Sequence, residues 1–245
     1  MKKCAVIIAG GLGRRLHPYT TILPKPLLPV GGVSIIEILI NQLSRNGFEN
    51  ITISLGFGGD LIRAIVKDGS KYNVDITYFQ EEYPLGTAGA LKFMKNIPDS
   101  ALILNGDILT SLNFSEFYDN FVENNLSASF AVRTEITSIN YGVVELDNDD
   151  LLIDFSEKPN YEHLVAMGIY AIKKSNLDFM DSKIKEFDMP DLLKEIQKHN
   201  KPVKGYRSSA YWMDLGRVTD LKLAEKDFIE DPEKFSWVEP LLWQT

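Results

Sequence analysis

Cys4-Ala5-Val6-Ile7-Ile8-Ala9 runs straight into Gly10-Gly11-Leu12-Gly13-Arg14-Arg15-Leu16-His17-Pro18-Tyr19-Thr20, and Leu23-Pro24-Lys25-Pro26-Leu27 follows closely. Six apolar residues closed by glycines read as a buried strand opening into a loop whose backbone can approach a ligand. Consecutive amides in such a loop form a concavity suited to anions. Two arginines and a lysine, held near glycines and prolines, add fixed positive charge that a neutral sugar would not need and a polyphosphate would. Two common glycine loops fail on spacing. A Walker A loop needs Lys-Ser/Thr after its last glycine, where this chain has Arg14-Arg15, and the third glycine of a dinucleotide fingerprint is replaced by Leu16. A lone glycine pair would be an ordinary strand-to-helix turn. The glycines together with Arg15, Pro18, Lys25 and Pro26 exceed that.

The remaining composition narrows the class. Of 245 residues, 44% are hydrophobic and 24% charged, as in a globular α/β domain, and the net charge of −8 argues against non-specific nucleic-acid binding. A positive loop in an acidic chain points to one anionic ligand at one place. The single cysteine, Cys4, allows no internal disulfide and no cysteine-rich metal site, and its strand position predicts an inert core thiol. No stretch approaches the length of a membrane span, and the apolar run after Met1-Lys2-Lys3 ends at Gly10, too early for a signal peptide. No membrane partner and a cytoplasmic location are therefore expected, while association into a homo-oligomer is left open.

Strands and helices alternate along the first half. Ser34-Ile35-Ile36-Glu37 has capping-box spacing, and Ile35, Leu39 and Leu43 recur on one helical face until Gly47. Strands are predicted over 51–55, 74–79 and 101–107, the last ending in the Asp107 carboxylate, with helices through Leu61–Val66, from Gly86-Thr87 with Thr87 as cap, and over 114–121. Alternation of this kind implies a mostly parallel sheet with helices on both faces and a ligand beyond the carboxyl ends of the strands. A strand over 127–132 follows. Residues 141–146 and 151–155 then alternate as a hairpin around Asp147-Asn148-Asp149-Asp150. Asp188-Met189-Pro190 opens a further helix, and another runs from Val218 to about Phe228.

These motifs together resemble the sugar-1-phosphate nucleotidyltransferases, or sugar-nucleotide pyrophosphorylases, over most of the chain. The likeness rests on Gly10-Gly11-x-Gly13-x-Arg15-Leu16-x-Pro18-x-Thr20 with Pro24-Lys25-Pro26, on Pro84-Leu85-Gly86-Thr87-Ala88-Gly89, and on Asn105-Gly106-Asp107. Glu157-Lys158-Pro159 and Trp212-Met213-Asp214-Leu215-Gly216 extend it. It implies a Rossmann-like three-layer α/β/α fold with a mixed, mostly parallel sheet and a small sugar-binding β lobe. The expected organisation is one domain over 1–228, with a nucleotide-binding part at 1–135, a sugar-binding part at 136–228 and a tail at 229–245. That tail carries Trp237 and Trp243. Longer members add a β-helix or regulatory modules, for which 245 residues are expected to leave no room.

The resemblance also assigns roles. Arg15 and Lys25 inherit the catalytic positions, Asp107 and Asp214 the metal-binding ones, with Mg²⁺ as cofactor. Gly10, Gly11, Gly13, Arg14, Glu81, Gly86 and Thr87 fall on the nucleotide, and Gly142, Glu157 and Lys158 on the sugar phosphate. Three positions need their own chemistry. Arg14 stands where the family usually has Thr or Ser, and Ala166 stands where Asn usually contacts a sugar hydroxyl. The resemblance therefore does not carry over a standard substrate such as mannose-1-phosphate, and leaves a heptose or amino sugar equally open. Glu81 replaces a common Gln: an ionised carboxylate only accepts hydrogen bonds, which suits the adjacent N–H donors of guanine.

The implied reaction is attack by a sugar-1-phosphate oxygen on the α-phosphorus of a nucleoside triphosphate, GTP favoured, with release of pyrophosphate. Its partners are those two small molecules and no nucleic acid. Two other readings remain: a non-catalytic sugar-nucleotide-binding regulator, and a phosphocholine cytidylyltransferase. Gly142 and Glu157, apt for hydroxyls, favour a sugar over choline.

Overall fold

In the computed structural model, which describes residues 2–11, 13–181, 186–231 and 235, the apolar opening run is a central strand. This strand, β1 (Lys3–Ala9), leads through short 3₁₀ turns and the ribbon β2 (Pro29–Val30)–β3 (Val33–Ser34) to α1 (Ile35–Arg45). β4 (Phe48–Leu55), α2 (Gly59–Val66), β5 (Asp75–Gln80), α3 (Gly86–Phe93) and β6 (Ser100–Asn105) then alternate as predicted. β7 (Ile108–Thr110), α4 (Phe114–Glu123) and β8 (Ala128–Ser138) precede the hairpin β9 (Gly142–Leu146)–β10 (Leu152–Glu157). β11 (Asn160–Lys173), α5 (Met189–Lys198), β12 (Val203–Arg207), β13 (Trp212–Asp214) and α6 (Val218–Glu230) follow.

Seven strands form one sheet in the order β12-β8-β11-β6-β1-β4-β5. All neighbours are parallel except β11, which runs antiparallel to both β6 and β8. Ala5, Val6, Ile7 and Ala9 of β1 are at most 2% exposed, the continuous burial of a parallel strand covered on both faces. One face packs against α1, α2, α4 and α6 through residues such as Ile38, Ile62, Phe117 and Ala224. The other packs against α3 and α5 through Leu91, Leu192 and Ile196. This is the three-layer α/β/α arrangement.

Several local expectations change. The Ser34 hydroxyl donates to Glu37 Oε2 at 2.7 Å and makes no backbone cap, so the expected capping box is a side-chain pair. Thr87 lies inside α3, whose N-cap residue is Leu85. Cys4 is only half-buried, and burial pushes its thiol pKa up. β8 extends six residues past the predicted end at Val132, because β11 pairs with it residue by residue from Ala166↔Val132 to Asn160↔Ser138. The extension is mostly exposed, so hydrophobic patterning carried no sign of it. Phe235 is buried, stacked on Phe228 at 5.0 Å and edge-on to Tyr211 at 5.3 Å. Trp237 and Trp243 lie outside the described residues. No helix among the described residues is long and apolar enough to cross a membrane.

Candidate active site

From β1 the sheet grows to β4 and β5 on one side, and β6 then lies on the other. The chain changes direction there, so a crevice opens beyond the carboxyl ends of β1 and β6. A cavity of about 260 Å³ occupies it. Gly11, Gly13, Arg14, Arg15 and Lys25 of the opening loop line it, with Asn105, Gly106 and Asp107 after β6, and Thr87 and Gly216 from further along the chain.

The loop is held by its own sequence. Gly13 takes a left-handed conformation (φ +59°), and its carbonyl accepts from the Thr20 hydroxyl at 2.8 Å and the Leu16 amide at 2.9 Å. Leu16 is fully buried and anchors the turn that carries Arg14 and Arg15. Lys25 sits between two prolines whose fixed φ leaves its backbone little freedom. Its side chain is 8% exposed, and its ammonium hydrogen-bonds Asp107 and lies 3.7 Å from Asp214 Oδ1.

The two acids are joined by backbone. β7 and β13 pair antiparallel with Asp214 opposite Ile108, and the Leu215 amide donates to the Asp107 carbonyl at 2.9 Å. Arg15 approaches Asp214 from another side, with Nη2 3.9 Å from Oδ2. Gly216 lies close beside them: a Cβ there would stand 3.1 Å from both Arg15 Nη2 and Asp214 Oδ2, so those side chains would have to shift slightly. Burial, reinforced by the neighbouring Asp107 carboxylate, pushes the Asp214 pKa up, and Lys25 and Arg15 oppose the rise. Arg14 makes no ion pair among the described residues. Three cations facing two carboxylates leave a site suited to an anion, or to a cation-bound anion.

The other expected residues are placed differently. Glu81 does not line the cavity. Its Oε1 accepts from Ser54 Oγ at 2.8 Å and its Oε2 from the Leu85 amide at 3.2 Å. The carboxylate covers Gly10, where a Cβ would stand 2.5 Å from Oε1. Gly86 adopts φ +79° at the start of α3, and Thr87 reaches the cavity wall. Gly142 and Glu157 face each other across the β9–β10 hairpin, with Lys158 next in the chain at φ +47°. None of these three lines the cavity, so the structure gathers them at a separate place at the base of the hairpin. The β7–β13 ribbon and Asp188, which holds α3 (below), went unseen in the sequence. Three-residue strands have no readable periodicity, and Asp188 looked only like a helix start.

The family model described as Nucleotidyl transferase matches residues 4–231, nearly the whole described chain. The chain belongs to this family. Within it, the bifunctional protein GlmU of Methanococcus maripaludis is 33% identical over 234 residues, 92% of this chain and 54% of that protein. The chain thus spans about half the length of such relatives. D-glycero-alpha-D-manno-heptose 1-phosphate guanylyltransferase of Aneurinibacillus thermoaerophilus is 28% identical, covering 91% of this chain and 97% of its own. The crystal structure of HddC from Yersinia pseudotuberculosis superposes with a TM-score of 0.71 over 92% of this chain at 24% identity, a likeness of fold.

Proposed function

We propose that the chain transfers a nucleoside monophosphate from a nucleoside triphosphate, GTP favoured, to a sugar 1-phosphate, releasing pyrophosphate. One observation carries this: the buried Lys25 ammonium bridges Asp107 and Asp214 at a cavity that Arg14, Arg15 and loop glycines also line. The likeness to a heptose 1-phosphate guanylyltransferase supports guanine.

The chemistry asks little of a general base. A phosphate monoester has its second pKa near ~6, so the attacking oxygen is already ionised at neutral pH. That oxygen forms a bond to the α-phosphorus while the bond from α-phosphorus to the bridging oxygen breaks, and the electron pair leaves with pyrophosphate. The protein positions the two anions and offsets their charge. Arg15 and the amides of the glycine loop hold the β- and γ-phosphates, and the exposed Arg14 adds attraction at longer range. Lys25 faces the reacting phosphate. Gly142, Glu157 and Lys158 receive the sugar phosphate, and Lys158 has no ion-pair partner among the described residues to compete for it.

Asp107 and Asp214 fit a magnesium ion, which prefers a few carboxylates completed by phosphate oxygens and water. Burial first and repulsion from Asp107 second raise the Asp214 pKa, and a shared cation would relieve the repulsion. Bound there, Mg²⁺ would supply further neutralisation of phosphate charge. In organisation, residues 1–135 serve the nucleotide and 136–228 the sugar, with one sheet joining them.

The test is a matrix of GTP, ATP, CTP and UTP against a panel of sugar 1-phosphates, with and without chelator, scored by phosphate released after pyrophosphatase. Release is expected for at least one pair, highest with GTP and abolished by chelator. No release from any pair removes the reaction.

A further inference from the structure

The turn that opens α3 is gripped from the other half of the chain. The amides of Ala88 and Gly89 both donate to the Phe187 carbonyl, at 2.8 and 2.9 Å, and the Phe187 amide donates back to the Leu85 carbonyl at 2.8 Å. The Thr87 amide donates to Asp188 Oδ1 at 2.9 Å, and the Thr87 hydroxyl donates to the same oxygen at 3.1 Å. The Met189 amide donates to the Thr87 hydroxyl oxygen at 2.8 Å, which closes the exchange. Gly86 lets the strands of this joint meet, since a Cβ there would stand 2.6 Å from the Phe187 carbonyl oxygen.

Two consequences follow. Three of the four free amides at the start of a helix are its usual anion donors. Here Thr87, Ala88 and Gly89 have spent theirs on protein acceptors, and a carboxylate already stands at that helix end. That leaves the opening loop to hold phosphates, and through Thr87 the α3 turn forms one wall of the same cavity. Glu81 ties the segment 81–85 before that wall to Ser54 and Leu55, and residues 187–189 grip the turn itself.

We infer that Asp188 is a positioning residue for the triphosphate, acting through Thr87, which lines the cavity. The inference rests on the reaction proposed above. Asp188→Ala removes the acceptor of both Thr87 bonds, whereas Asp188→Asn keeps an oxygen at Oδ1. With the triphosphate that the wild type uses fastest, Asp188→Ala is expected to raise its KM about five- to twentyfold, the loss of one to two hydrogen bonds. The kcat should stay within about threefold and the sugar-phosphate KM within about twofold, and Asp188→Asn should restore most of the triphosphate KM. Calorimetric titration with GTP and, in parallel, UTP reads the same change without turnover.

Turnover in the wild type with an unchanged triphosphate KM in Asp188→Ala overturns the inference and leaves the reaction standing. So does a fall in kcat alone with a lowered unfolding midpoint, the mark of a merely structural contact. Binding without turnover in the wild type, weakened in Asp188→Ala, removes the reaction and upholds the joint. A wild type that binds no triphosphate overturns both.

Discussion

The Leu215 amide donates to the Asp107 carbonyl at 2.9 Å, so residues more than a hundred positions apart share one short ribbon. The carboxylates of Asp107 and Asp214 are thus fixed relative to each other by main chain, and Lys25 closes the group from the opening loop. Removing one side chain should leave that ribbon intact. Asp107→Ala and Lys25→Ala are each expected to lower kcat by about two to four orders of magnitude, the scale of a lost charge-stabilising group. Circular dichroism should remain that of the wild type. Near-normal turnover in either variant takes that residue out of the proposed scheme.

Arg14 differs from its neighbours in having no carboxylate to neutralise it among the described residues, although it lines the same cavity. An exposed cation at a polyphosphate site contributes mainly long-range attraction, which salt screens within about 10 Å at 0.1 M. Arg14→Thr should therefore raise the triphosphate KM about three- to tenfold at low salt, with kcat little changed. The difference should shrink at high ionic strength. A salt-independent loss, or a fall in kcat as large as for Lys25→Ala, assigns Arg14 a direct role at the reacting phosphate.

The same contrast between local and long-range effects shows how far the sequence could be read. The alternating strands and helices from Lys3 to Asn105 were legible, because each buries a face whose period is visible over its own length. So was the crevice, since a glycine loop after a central strand has few other places to be. The β7–β13 ribbon was not: Ile108–Thr110 and Trp212–Asp214 are too short to show a period, and only their pairing makes Asp107 and Asp214 neighbours. Asp188 stayed hidden for a related reason. Asp-Met-Pro reads as a helix start, and its carboxylate does serve a helix, but that helix is α3, about a hundred residues away. Glu81 was singled out for the base, and its bonds to Ser54 and Leu85 belong to contacts no spacing rule encodes.

Those bonds make Glu81 a testable specificity residue. Its carboxylate already accepts from the Ser54 hydroxyl and the Leu85 amide, so a base read by it would share an acceptor that also shapes the 81–85 segment. Glu81→Gln keeps the size and one accepting oxygen while introducing a donor. If the carboxylate reads guanine, the ratio of kcat/KM for GTP over UTP should fall about tenfold or more, the worth of one charge-assisted hydrogen bond. A parallel loss for both triphosphates shows instead that Glu81 only holds the segment in place.

Glu37 offers a test of stability apart from catalysis. Its side chain is 18% exposed and accepts from Ser34 Oγ at 2.7 Å, Tyr72 Oη at 2.7 Å and Lys71 Nζ at 3.0 Å. Burial opposes ionisation, but the three donors outweigh it and hold the Glu37 pKa below the usual carboxylate value. A carboxyl with a lowered folded pKa stabilises the fold fully above its unfolded pKa of ~4.3 and loses that contribution as pH falls through the folded value. Glu37→Gln turns an amide donor toward one of the three donors, at a cost of about 1–3 kcal/mol, or roughly 2–12 °C in a chain of this size. The gap between wild type and variant in thermal melts should be widest near pH 7 and narrow steadily below about pH 4, as the wild-type carboxyl takes up its proton. A gap of constant size down to pH 3 would place the effect in packing around α1 and not in the ionised network.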